Sequence, residues 1–111
     1  MRFISLYTHK PRSTGPTQQE IATMTKLVED GRKEGWLITT EGVAWGNNGT
    51  RVQSTNGKVT VTDGPFAEAK EVIGGYAIMQ VKSKEEALAL SRRFLAVAGD
   101  GTCELHQLFE M

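Results

Sequence analysis

The sequence predicts a small α+β domain in which two helices cover one side of an antiparallel sheet. Two amphipathic segments with helix-capping signals alternate with short apolar segments, which is the pattern of this class. The composition is that of an ordinary globular protein, and 111 residues are enough for one domain but not for two. We therefore expect a single domain over residues 1–111.

The first half of the chain predicts the order strand, helix, strand. Arg2–Thr8 carries large apolar groups on both alternating faces, which is typical of a central strand covered on both sides. Thr17 and Glu20 have the spacing of a capping box that begins a helix. Apolar residues follow at helical period until Gly35, which suits the position after a helix, and Trp36–Glu41 then predicts a strand.

A hairpin is predicted next. Arg51–Ser54 and Lys58–Thr62 flank the sequence Thr55–Gly57, in which Asn56 and Gly57 favour the positive φ angles of a tight turn. The hairpin stands between two strand–helix–strand units, so we interpret it as an insertion.

The second unit repeats the order of the first. Gly75–Val81 is apolar on both faces and predicts another central strand, Ser83 with Glu86 offers a second capping box, and Thr102–Phe109 predicts the last strand. Two right-handed strand–helix–strand units with a hairpin between them predict a ferredoxin-like sandwich, with both helices on one face of the antiparallel sheet.

The other face of this sheet has no element of the same chain to cover it. Because the predicted central strands are apolar on both sides, an uncovered face would expose a large apolar patch. A second copy of the chain is the simplest cover, so we expect a homodimer.

Charge and composition exclude several classes of protein. Thirteen basic and thirteen acidic residues cancel, whereas a nucleic-acid-binding domain usually has a basic surplus. The longest run without strongly polar residues, Val72–Met79, is too short for a membrane span, and no secretory signal is visible. Cys103 is the single cysteine and the two histidines are far apart, so we expect no disulfide, no metal and a cytoplasmic location.

One linked motif carries more information than composition. Val61–Glu71, which contains Asp63–Phe66 (DGPF), is followed by Gly74–Tyr76 (GGY). This run closely resembles the signature of the DGPF-domain, or YCII-related, family, and the resemblance extends to Thr17–Leu27 and to Cys103–Met111. It implies a dimeric α+β barrel, in which two ferredoxin-like sheets face one another.

The resemblance also implies two classes of function. Some YCII-related proteins look like cofactor-free lyases or dehydrochlorinases that use a His–Asp pair with the histidine on the first helix. The predicted first helix here, Thr17–Glu34, contains no histidine, and His106 occupies a position where the DGPF pattern more often has arginine. The second class is a non-catalytic regulatory or interaction module, because DGPF-type domains look associated with extracytoplasmic-function sigma factors; here the association would be in trans.

Five side chains are the candidate site. Asp63 and His106 are the candidate catalytic acid or base, and Lys70, Tyr76 and His9 join them as candidate ligand-binding groups. Each also has a structural interpretation: a turn cap for Asp63, a solvated lysine, a core tyrosine, and histidines exposed on a strand or loop.

We therefore expect a homodimer that binds a small molecule in a cavity near the sheet. If the protein is an enzyme, we expect a lyase or isomerase that needs no cofactor, and the alternative is the interaction module.

Overall fold

The computed structural model describes residues 1–44, 49–64 and 71–110. The elements along the chain are β1 (Arg2–His9), α1 (Gln18–Glu34), β2 (Leu37–Gly42), β3 (Thr50–Thr55), β4 (Lys58–Asp63), β5 (Val72–Gln80), α2 (Lys84–Ala98) and β6 (Thr102–Gln107). The main sheet has the strand order β2-β5-β1-β6 with all neighbours antiparallel, and β3 and β4 form a separate two-stranded sheet. This topology confirms the predicted α+β, ferredoxin-like fold with an inserted hairpin.

The predicted helix and turn signals lie where expected, and one of them forms only in part. Thr17 caps α1 through both bonds of a capping box, and Gly35 ends the helix at φ 86°. The predicted second capping box forms only in part: the Ser83 side chain accepts a hydrogen bond from the Glu86 N–H at 3.1 Å, which is one of the two bonds of a box. Asn56 and Gly57, at φ 52° and 78°, make the tight turn between β3 and β4.

Strand ends differ from the prediction by two or three residues. β5 begins at Val72, three residues before the predicted start, because His9 at the end of β1 pairs with it. β6 ends at Gln107, which pairs with Phe3 near the start of β1. Phe109 therefore lies beyond the sheet and is exposed.

The core lies between the sheet and the two helices and is small. Its buried centre consists of Phe3, Met79, Val81 and Ala87, with Trp36, Leu90 and Leu105 packed at its edge. Phe3 pairs with Met79, so both side chains point to the helix side of the sheet. Among the described residues no large side chain is completely buried.

The opposite face of the sheet, which we call the open face, carries apolar side chains, and no described helix or strand covers them. The register pairs Ile4 with Ile78 and Leu6 with Tyr76, which places these four on one side of β1 and β5. Leu6 is 37% exposed, and Ile73 is exposed at the end of the same face.

An ionic contact joins the two helices. On α2, the Arg93 guanidinium lies 3.0 Å from the Glu34 carboxylate and 4.0 Å from Asp30, both on α1. Glu34 also accepts a hydrogen bond from the Trp36 indole N–H at 2.9 Å. The Trp36 N–H and then the Arg93 charge hold the pKa of Glu34 below its ordinary value of 4.5.

We expect this contact to make stability depend on acid pH. Because the Glu34 pKa is lower in the folded chain than in the unfolded chain, its stabilisation is present above about pH 4.5 and is lost as the pH falls through the folded-state value. Melting temperatures between about pH 6 and pH 3 should fall less steeply for Arg93→Gln than for the parent chain. Arg92→Gln, which changes the neighbouring exposed arginine, should keep the parent slope; equal slopes for all three chains would contradict the assignment.

Candidate functional site: a cleft on the helix side of the sheet

A cleft of about 870 Å³ opens between α1, α2 and the helix side of the sheet. It exists because only the second half of α1 packs closely: Leu27 and Gly31 are buried, whereas Ile21 is 52% exposed. Gly31 permits the close packing, since a methyl group there would lie 2.8 Å from the Trp36 ring. The cleft volume falls in the range of about 300–1,000 Å³ that is usual for small-molecule sites.

The lining of the cleft is mainly apolar, with a few polar groups. The apolar side chains come from both helices and from the sheet: Ile21, Met24, Val28, Trp36, Leu37, Val43, Ala77, Met79, Leu90, Phe94 and Val97. The polar and charged residues that border the cleft are Ser5, Tyr7, Arg12, Glu20, Thr25, Glu29, Arg32, Thr40, Glu41, Tyr76 and Ser91. Glu41 and Tyr76 are paired across β2 and β5, and their register directs both side chains to the opposite face of the sheet. Such a lining suits a small molecule with an apolar body and one or two polar groups.

Tyr7 is held firmly at the cleft. Its ring contacts Phe94 edge-on at a centroid distance of 5.0 Å, and its hydroxyl donates to the Asp100 carbonyl oxygen at 3.2 Å. Gly74 and Gly101 flank the ring, and a methyl group on either would overlap it. Burial, with smaller effects of Cys103 and Asp100, raises the Tyr7 pKa, so the hydroxyl stays protonated and can donate.

A β-bulge places His9 beside this ring. Tyr7 pairs with Gly75 and Thr8 pairs with Ile73, so Gly74 is the additional residue on β5. His9 is 4% exposed, and its ring centroid lies 5.4 Å from that of Tyr7. His9 Nδ1 lies 2.7 Å from the Lys10 carbonyl oxygen; because a carbonyl only accepts, the hydrogen is on Nδ1.

An ion pair borders the cleft, and a thiol lies on the strand next to Tyr7. The Arg12 guanidinium lies 3.4 Å from Glu20 Oε2, and the other Glu20 oxygen accepts from the backbone N–H of Thr17. That backbone bond, followed by Arg12, lowers the Glu20 pKa. On the sheet, burial raises the pKa of the Cys103 thiol, which keeps the thiol protonated next to Ser5.

The structure separates the residues predicted as one site. His106 and Tyr76 lie on the open face on either side of β1, and His106 Nε2 is 2.6 Å from Glu104 Oε1. Asp63 lies at the base of the β3–β4 hairpin, where its carboxylate accepts from the Thr50 hydroxyl at 3.0 Å. His9 lies beside the cleft.

Some predicted features lie beyond the part of the chain that the structure describes. Lys70 and the Pro65–Ala69 segment of the motif fall outside the described residues, as does Trp45. Of the five predicted site residues, none is brought next to another among those described: Asp63, Tyr76, His106 and His9 occupy the hairpin base, the open face and the cleft side.

Sequence reasoning missed Tyr7 and Arg12 as site residues. Tyr7 was visible as one of several large groups in a two-sided strand, and the Gly74–Gly75 pair indicated a close approach of backbone at the strand entry. The β-bulge is what connects these two signals, because it brings Gly74 against the Tyr7 ring, 67 positions earlier in the chain.

Fold and cleft together define an α+β sandwich of ferredoxin-like topology with a small-molecule-sized cleft under its first helix. The family model of the YCII-related domain matches residues 1–111, so the chain belongs to the YCII-related domain family. No curated protein matches the chain.

Two general properties of the described residues bear on the site. No helix among them is long and apolar enough to cross a bilayer. In the same residues no three histidine, cysteine or acidic side chains are grouped so that they could hold a metal ion.

Proposed function

We propose that the protein binds a small, largely apolar molecule in the cleft between α1 and the sheet. The observation that supports this most directly is the cleft itself, about 870 Å³ with a mainly apolar lining that surrounds a few polar groups. Tyr7 supplies a fixed hydroxyl, and Arg12 and Glu20 supply opposite charges at the same cleft. These groups can orient a polar end of the ligand while its body contacts Met24, the Trp36 ring and other apolar lining residues.

The activity class that we assign to such a site is proton transfer without a cofactor, as in a lyase or isomerase. Among the ionisable residues that line the cleft we choose Glu20 and Tyr7 for this role, because Glu20 is a carboxylate close to the Arg12 charge and Tyr7 is a protonated hydroxyl. Turnover of a bound compound, measured by mass spectrometry, tests this part separately from binding.

We further propose that the protein is a homodimer that pairs the open faces of two sheets. The chain exposes 8124 Å², whereas a compact monomer of its 12.2 kDa exposes roughly 6,100 Å². The excess, about 2,000 Å², exceeds the roughly 800 Å² per partner that a stable interface buries. The open face supplies apolar groups for such an interface at its centre, including Leu6 and Ile78.

A thermal-shift screen of small aromatic compounds and carboxylates tests the cleft. A compound at 100 times its Kd should stabilise the fold by about 2.7 kcal/mol and raise the melting temperature accordingly. Ile21→Trp, which fills the mouth of the cleft, should remove this shift, whereas Ala22→Trp, on the next and exposed position of α1, should keep it. A screen without a stabilising compound, or a shift that survives Ile21→Trp, would contradict the proposal and leave the interaction module as the function to test.

A further inference from the structure

The β3–β4 hairpin, which we call the hairpin arm (residues 50–63), has one face that carries three valines beside Thr50, Ser54 and Asp63, and no described helix or main-sheet strand packs extensively against the arm. Val52 pairs with Val61, and Val59 lies two positions before Val61, so all three point to the same side. Their exposed fractions are 65%, 66% and 63% for Val52, Val61 and Val59. The opposite side is polar and includes Gln53, Thr60 and Thr62.

An arm of this kind is not stable through its own contacts. A two-stranded hairpin alone is marginal in water, and the alternation of valine with polar residues along β4 indicates a strand with one buried face. Within the described ranges the arm has no extensive contact with the main sheet or with either helix. The described helices and main-sheet strands therefore give the three valines no extensive cover.

In the chain, the arm stands between the end of β2 and the start of β5. The β2–β5 pairing continues past Gly42 through a hydrogen bond from the Val43 N–H to the Gly74 carbonyl at 2.9 Å, and the Gly64 N–H bonds to Gly49 at the base of the arm. Val43 and Ile73 are exposed at this end of the sheet. Exposed apolar side chains thus occur both on the arm and at this end of the main sheet.

The exposed surface area of the chain is large enough for a partner to cover the hairpin arm as well as the open face. The excess of about 2,000 Å² over a compact monomer is more than twice the roughly 800 Å² that one partner buries in a standard interface. In a two-fold dimer each protomer gives and receives the same contact, so one symmetric association covers two open faces and two arms.

We propose that the hairpin arm packs its valine face (Val52, Val59 and Val61) against the partner protomer of the homodimer. This inference rests on the homodimer proposed above. It assigns to the inserted hairpin the role of an arm that embraces the second copy and extends the interface beyond the open face.

A dimer dissociation constant measured by analytical ultracentrifugation tests the arm. The triple variant Val52→Thr, Val59→Thr and Val61→Thr keeps β-branched side chains of the same shape, and it changes six residues in each dimer. We expect its Kd to rise at least 100-fold. The matched control on the polar face (Gln53→Thr, Thr60→Ser and Thr62→Ser) should change Kd less than threefold.

Photo-crosslinking identifies what the valine face touches. A benzophenone amino acid at position 59 should give covalent dimers, whereas the same group at position 60 should give few. An unchanged Kd for the triple threonine variant, or crosslinks from position 59 that stay within one protomer, would overturn the inference. If Leu6→Glu dissociates the dimer while the threonine variant does not, the arm alone is refuted; a parent chain that is monomeric refutes the homodimer and the arm together.

Discussion

Leu6→Glu should convert the protein from dimer to monomer at micromolar concentration. Leu6 lies at the centre of the open face between Tyr76 on β5 and Glu104 on β6. In a two-fold interface the change places two carboxylates in an apolar contact next to two existing ones, where burial and like charge both disfavour them. We expect the dissociation constant to rise by at least 1,000-fold, about 4 kcal/mol or more. Light scattering behind size-exclusion chromatography measures this directly.

The chain offers a closely matched control for this experiment. Leu88 on α2 is a leucine with the same 37% exposure, but it lies on a helix and not on the open face. Leu88→Glu should leave the molar mass of the parent protein unchanged. If both variants stay dimeric, the open face is not the interface, and if both become monomeric the effect is not specific to it.

Gly75→Ala should destabilise the fold strongly. A methyl group on Gly75 would lie 2.6 Å from the Glu41 carbonyl oxygen and 3.3 Å from the Gly42 Cα, both in the backbone of the neighbouring strand β2. Backbone cannot rotate away, so β2 must shift, and we expect overpacking to cost about 1–3 kcal/mol. That loss lowers the melting temperature by roughly 4–15 °C in a domain of this size.

Gly42→Ala is the control, because Gly42 faces Gly75 across the same ladder. A methyl group there meets only the Gly74 carbonyl at 3.9 Å, which is ordinary contact. We expect a change of less than about 0.5 kcal/mol for this exposed position. Similar losses in the two variants would show that the ladder tolerates neither methyl and that the close approach at Gly75 is not the cause.

The fold was predictable because its signals are local. The Thr17–Glu20 capping box, the Asn56–Gly57 turn and the two-sided apolar pattern of the central strands each act within a few residues. Once these elements are placed, right-handed connections leave few arrangements of the sheet. Strand ends were less predictable, since they depend on which partner strand continues, as His9 and Val72 show.

The candidate site was largely beyond prediction. Ile21 and Met24 have the helical spacing of core residues, yet the first half of α1 stands away from the sheet and these residues line a cleft. Periodicity identifies which face of a helix points inward but not how far the helix lies from its neighbour. Asp63, singled out by its motif, pairs with Thr50 across the hairpin, which is a long-range contact that the DGPF sequence does not specify.

A single layer of strands, with β1 at its centre, separates the cleft from the open face. Ser5 and Tyr7 face the cleft while Ile4 and Leu6, the alternate residues of the same strand, face the other way. A displacement of this strand by an occupant on one side is therefore transmitted to the other. Thermodynamic reciprocity then requires that a compound which binds the paired form more tightly also strengthens pairing by the same factor, so apparent ligand affinity would vary with protein concentration.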